Sequence, residues 1–175
     1  MYSATEGGTV RRITATRGEE DTTGNWPYDS NIQLEFTAVA ADLDENIYVG
    51  ATNGELRVLD DEGSEVTCFE PLGGDEIVDL AIGREGVYVA SKKSVKLLEG
   101  ERNAWLAGNV GKWTTDFSGD PITAVAISPE GTAAVSQGTK IFTLDGQGNI
   151  TDNFDLGSAV NDLSFQPGTF QPHWK

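Results

Sequence analysis

Asp79 and Asp162 occupy the second position of two similar stretches, "VDLA" at 78–81 and "NDLS" at 161–164, 83 residues apart. Two carboxylates brought face to face repel unless they are protonated, solvated or bridged by a cation. Held apart, each would instead cap backbone N–H groups at the end of its own strand. Trp26 in "WPYD" and Trp113 in "WTTD" make a second pair, 87 residues apart. Exposed indoles there would anchor a protein partner or stack on a sugar ring; buried ones would fill the wedge between sheets. Phe170 and Trp174 lie together in "QPGTFQPHWK" at 166–175. Pro167 and Pro172 disfavour both strand pairing and helix in that segment. It should run extended and dock through its two rings, on the protein's own face or against a neighbouring subunit.

Other chemistry finds little footing. The chain has no Gly-x-Ser-x-Gly elbow, no phosphate loop and no His/Cys metal cluster. His173, the only histidine, is the third residue from the end of the sequence. A glycosidase pair of carboxylates could be drawn from 28 Asp and Glu, but so many acids make chance pairs unavoidable. Asp42, Asp44 and Asn46 in "DLDEN" have a superficial Ca²⁺-loop spacing. They lack the glycine and the distal bidentate glutamate of such a loop and read as a hairpin turn. Asn149 and Thr151 form a glycosylation sequon. The expectation is a protein that is not an enzyme and has no catalytic residue, no metal and no cofactor.

Twelve Lys and Arg against those 28 acids give a net charge of −16 on 175 residues. Such a charge repels nucleic acid and anionic membranes, while 38% hydrophobic residues are enough for a folded domain. Excess surface carboxylate is the composition of proteins from salt-in halophiles, so a high-salt environment is expected. Cys68 is the only cysteine, which rules out an internal disulfide. "MYSATEGG" carries neither a basic nor an apolar signal region, and no stretch approaches the roughly 20 apolar residues of a membrane span. A cytoplasmic protein, or a component of an assembled particle, is expected.

The elements that must position these residues are strands. "FTAVAADLDENIYVGATNGELRVLDDEG" from Phe36, "IVDLAIGREGVYVASKKSVKLLEGER" from Ile77 and "ITAVAISPEGTAAVSQGTKIFTLDGQG" from Ile122 repeat one pattern, and "VNDLSFQPG" from Val160 opens it again. Each reads as strand, turn, strand, turn, strand, turn and a less regular fourth strand, with turn residues such as Pro129-Glu130-Gly131 at each break. No amphipathic helical period of useful length occurs. Four short strands per unit of about 40 residues is the signature of propeller blades. The first strand of each unit is apolar and small, as an innermost strand crowded at an axis must be.

"LDENIYVGATNGELRVLD" and "ISPEGTAAVSQGTKIFTLD" resemble the blades of β-propellers of the broad WD40/NHL-like kind, without the Gly-His and Trp-Asp dipeptides of strict WD40 repeats. The resemblance implies an all-β fold, a small four-bladed propeller over 1–167. Its first blade would be composite, 1–35 plus 160–167, so that the N- and C-termini close it; the others would be 36–76, 77–121 and 122–159. Residues 168–175 would be an extended tail. A second copy could instead complete an eight-bladed ring. "TAVA" recurs at 37–40 and 123–126, which with the Asp and Trp pairs suggests a duplicated two-blade module, A-B-A-B, and places Asp79 and Asp162 on opposite inner strands.

The function expected of such a chain is a non-catalytic binding or structural module. It would be a scaffold for protein–protein interaction, or a subunit of a homo-oligomer or larger particle such as a cell-surface or virion decoration. Trp26, Trp113, Phe170 and Trp174 are its candidate partner-binding residues, and Asp79 and Asp162 its polar candidates in the central channel. The alternative is a carbohydrate-binding, lectin-like propeller that takes a glycan on the paired tryptophans; a glycan-active enzyme ranks last.

Overall fold

The computed structural model describes residues 1–5, 7–13, 18–30, 34–99 and 111–165. These form fifteen β-strands in four antiparallel meanders, with no helix among the described residues. The first sheet contains β1 (Tyr2–Ala4), β2 (Thr9–Arg12) and β3 (Tyr28–Asp29). The second contains β4 (Phe36–Ala41), β5 (Ile47–Ala51), β6 (Leu56–Leu59) and β7 (Glu65–Phe69). The third runs β8 (Ile77–Gly83), β9 (Gly86–Ser91), β10 (Ser94–Glu99) and β11 (Trp113–Asp116), and the fourth β12 (Ile122–Ile127), β13 (Ala133–Gln137), β14 (Lys140–Leu144) and β15 (Ile150–Asp155). This is the all-β, four-bladed propeller architecture that the repeats imply.

Turn chemistry sets the strand breaks. Asp42 Oδ1 accepts from the amides of Asp44 and Asn46, while Oδ2 accepts from the Asn46 side chain and the Tyr48 hydroxyl. Burial works against the charge of Asp42, and these bonds override it to hold the carboxyl below the usual range. "DLDEN" is a turn, and its Asp42 carboxylate is used inside it. Asp60 and Asp145 close the later turns of blades two and four identically, each accepting from the amides two and four residues on.

All three complete inner strands carry a register shift after their first residue, at Phe36/Ala38, Ile77/Asp79 and Ile122/Ala124. A bulge turns one side chain off the pleat. The displaced residues are Thr37, Val78 and Thr123, and the two threonines are used between blades.

Burial is concentrated between consecutive sheets. Val10, Phe36, Ile47 and Val49 share one core between blades one and two. Leu56, Val58, Ile77 and Val89 share a second between blades two and three, and Tyr88, Leu97, Val135 and Leu144 a third between blades three and four. Each such side chain contributes about 1.5–3 kcal/mol by leaving water.

One expectation is corrected. The first sheet has three strands, all from residues before 30, and residues 160–165 form no strand and pair with none of them; 166 and 167 lie outside the described residues. Residues 160–165 follow blade four instead. The Val160 amide donates to Gly138 O at 3.0 Å, and the Thr123 hydroxyl donates to Val160 O at 2.6 Å. Those bonds hold the segment beside β12 and not against β1.

Candidate functional site

The inner strands place polar groups where consecutive blades meet. Asp79, half-buried on β8, accepts from Leu80 N at 2.8 Å through Oδ1 and from Val125 N, on the next blade, at 2.7 Å through Oδ2. Asp162 accepts from Leu163 N at 2.8 Å through its own Oδ1. Burial pushes the Asp79 carboxyl above the usual carboxylate range, against the lowering by its two amide bonds, and the nearby charge of Asp162 adds to the rise. The two aspartates therefore feel each other. Capping is nonetheless the role that geometry gives Asp79, with the cap reaching across to a neighbouring blade.

The displaced threonines repeat this device. Thr37 donates to Ile77 O at 2.5 Å, and Thr123 donates to Val160 O at 2.6 Å. Each A-type inner strand thus fastens to the B-type segment that follows it. The recurring "TAVA" was visible in the sequence, but no local signal showed that its first residue would be bulged toward a neighbour.

Asp79 supplies a test of its own. Its raised carboxyl contributes stability that is complete below the unfolded value near 3.8 and is lost as pH rises through the raised value. Asp79→Ala leaves the Val125 amide without its acceptor and should cost about 1–3 kcal/mol at pH 7. Asp79→Asn, which retains an acceptor, should cost less. Chemical denaturation between pH 3 and 7 checks both, and a variant that keeps the acid-side stabilisation would show that another group causes it.

Trp26 is buried, at 4% exposure. Its indole N–H donates to Asp61 O at 3.0 Å, in the third-strand turn of the next blade, and its ring lies against Gly63. Trp113 repeats the contact, donating to Gly146 O at 3.1 Å with its ring against Gly148. Both glycines have positive φ, 83° and 82°, and an added Cβ would meet the indole at 3.0 and 2.5 Å. Trp26 and Trp113 fill the wedge between blades, with their polar edges satisfied inside the protein. Phe170 and Trp174 lie outside the described residues.

Sequence reasoning missed the cluster centred on Arg57. Buried on β6, it donates to Glu65 at 2.7 Å, Glu55 at 2.8 Å and the Tyr28 hydroxyl at 2.9 Å, while Tyr28 donates to Glu65. Burial opposes the guanidinium charge, and the bonds to Glu55 and Tyr28 override that and raise its pKa. Burial first, then the bond to Glu65, pushes the Tyr28 phenol up to about 12. Because Tyr28 belongs to blade one and the rest to blade two, the cluster is an inter-blade lock. A shallow cleft of about 300 Å³ near it is lined by Arg12, Thr23, Gly24, Asp61 and Glu62. Arg12 already bonds Asp21, Thr23 and Asp61 O there and sits 5.4 Å over the Trp26 ring.

On the far side of blade four, apolar groups face outward. β15 is exposed along its whole length, with Phe154 52% and Leu156 57% exposed. Among the described residues, no three His, Cys, Asp or Glu are grouped to hold a metal ion, and no helix is long and apolar enough to cross a membrane.

A chain with this geometry belongs to the class of β-propeller proteins by fold. It superposes on the computationally designed Ika8 protein over 94% of its length with a TM-score of 0.71 and 20% identity. It also superposes on Raptor from Chaetomium thermophilum over 95% of its length with a TM-score of 0.75 and 13% identity. The chain spans about half of the Ika8 chain, 49%, and 16% of Raptor. No protein-family model matches it, and no curated protein matches its sequence.

Proposed function

We infer that the chain is a non-catalytic protein-binding module, a propeller scaffold that works as a subunit of an assembly. The observation that carries this reading is the outer surface of blade four, where Phe154 and Leu156 are exposed two residues apart on an otherwise acidic protein. Contiguous exposed apolar groups on a soluble fold mark a surface that a partner covers. The Asp79, Thr37, Thr123 and indole polar groups at the blade junctions are taken up by structural bonds, and the sugar-binding alternative loses its platform because both indoles are packed between blades. A β-sheet face that carries Asp152 beside Phe154 suits a polypeptide with apolar and basic side chains.

The test is a photo-crosslinking phenylalanine analogue at position 154, activated in the source cell, with a glycan array run in parallel. A polypeptide adduct formed at 154 and absent at an exposed polar control position such as Glu130 is the expected result, with a blank array. Specific glycan binding without any polypeptide adduct would overturn the reading.

A further inference from the structure

Four sheets stand in a row, and among the described residues three cores join them, between blades one and two, two and three, and three and four. The two outer faces of the row remain. That of blade four repeats, position for position, the face by which blade two packs on blade three. Ala38, Tyr48, Leu56, Val58, Phe69 and Leu72 of blade two correspond to Ala124, Ala134, Ile141, Thr143, Phe154 and Leu156, 84 to 86 residues later. In blade two these residues pack into a core against Ile77, Leu80, Val87 and Val89 of a B-type blade. In blade four Phe154 and Leu156 are in water.

The face is therefore shaped for a B-type blade. Residues 160–165, though not a strand here, lie where that blade's inner strand would run, with Thr123 fastened to Val160 as Thr37 is to Ile77. Among the described residues no sheet pairs with it. The first sheet has the converse defect. Tyr2 and Ala4 match Tyr88 and Ala90 of the B-type blade, and Tyr2 meets Trp26 as Tyr88 meets Trp113, at centroid distances of 5.6 and 5.8 Å. Among the described residues it therefore has second, third and fourth strands without a first. Its outward side carries Arg11, opposite in charge to Asp152 on the outward side of blade four.

Resting on the reading as a protein-binding module, we propose that the partner is a second copy of this chain. Residues 160–165 of each copy pair with β1 of the other, and eight blades close into one ring with two equivalent junctions. A head-to-tail contact used twice around a twofold axis closes the ring and leaves no blade face uncovered. The superposition favours a larger ring over closure of these four blades alone: over 94% of their own length they match 49% of the longer designed chain. In the dimer Asp162 of one copy meets Val39 N of the other as Asp79 meets Val125 N, since Val39 precedes Val125 by 86 residues.

Sedimentation equilibrium of the 175-residue chain, at low and molar KCl because two chains of −16 repel, should give a species of about 37 kDa, twice 18.7 kDa. Phe154→Asp should weaken the dimer about 100-fold while circular dichroism stays that of a folded β protein. Leu163 and Ser3 occupy the positions of Leu80 and Val89, which are paired in blade three. In a Cys68→Ser background, Ser3→Cys with Leu163→Cys should oxidise to a crosslinked dimer on a non-reducing gel. An intrachain disulfide would overturn the proposal in favour of a four-bladed ring closed on itself. A monomer at every concentration would overturn it too, and if position 154 then crosslinks to a different protein, the protein-binding reading survives alone.

Discussion

Trp26→Ala should cost about 3–5 kcal/mol of folding stability, the range for removing a buried Trp or Phe. The side chain is 4% exposed, donates its N–H to Asp61 O, meets Tyr2 at 5.6 Å and carries Arg12 at 5.4 Å over its ring. Truncation removes all three contacts and opens a cavity at the first blade junction. A small domain has roughly 5–15 kcal/mol in total, so the variant should unfold at markedly lower urea. Trp113→Ala should cost less, because that ring is only half-buried. If Trp26→Ala unfolds at the wild-type urea concentration and loses only partner binding, the indole is an anchor and the packing assignment is wrong.

Arg57→Met should cost about 3 kcal/mol, the lower end for breaking a buried ion pair by removing one partner. Glu55, Glu65 and the Tyr28 hydroxyl would lose their common donor, and two carboxylates would be left together at the junction of blades one and two. Tyr28→Phe should cost about 1 kcal/mol, one hydrogen-bonded hydroxyl, and adds a pH signature. The Tyr28 pKa is raised from 10.0 to about 12 in the folded protein. Its contribution is therefore complete below pH 10 and is lost as pH rises through about 12. Urea titrations in that window should show a shallower alkaline loss in Tyr28→Phe than in the wild type. An unchanged slope would mean that the phenol titrates freely and is not locked.

Most of the architecture was legible because it is local. Apolar runs of five or six residues broken by Asp42, Asp60, Arg84-Glu85-Gly86 and Asp145 specify strands and turns through contacts within a few residues. The spacing of Asp79 from Asp162 and of Trp26 from Trp113 showed the A-B-A-B duplication before any coordinates. The threonine pair, equally well spaced, was read only as strand, since a bulge at the second residue leaves no mark in composition.

What the sequence by itself determined is the number of blades, their strand content, their pairwise kinship and the acidity of the surface. The tertiary structure decided which of the paired residues face inward. Trp26 reaches Asp61, Arg57 reaches Tyr28, and Asp79 reaches Val125, partners 35, 29 and 46 residues away. Such contacts depend on how one finished sheet docks on the next, and strand periodicity is blind to docking because a side chain points off its sheet equally well toward a neighbour or toward water. The same reason hid the outer face of blade four: its residues repeat those of blade two, and only the placement of the sheets shows that one face is covered and the other is not.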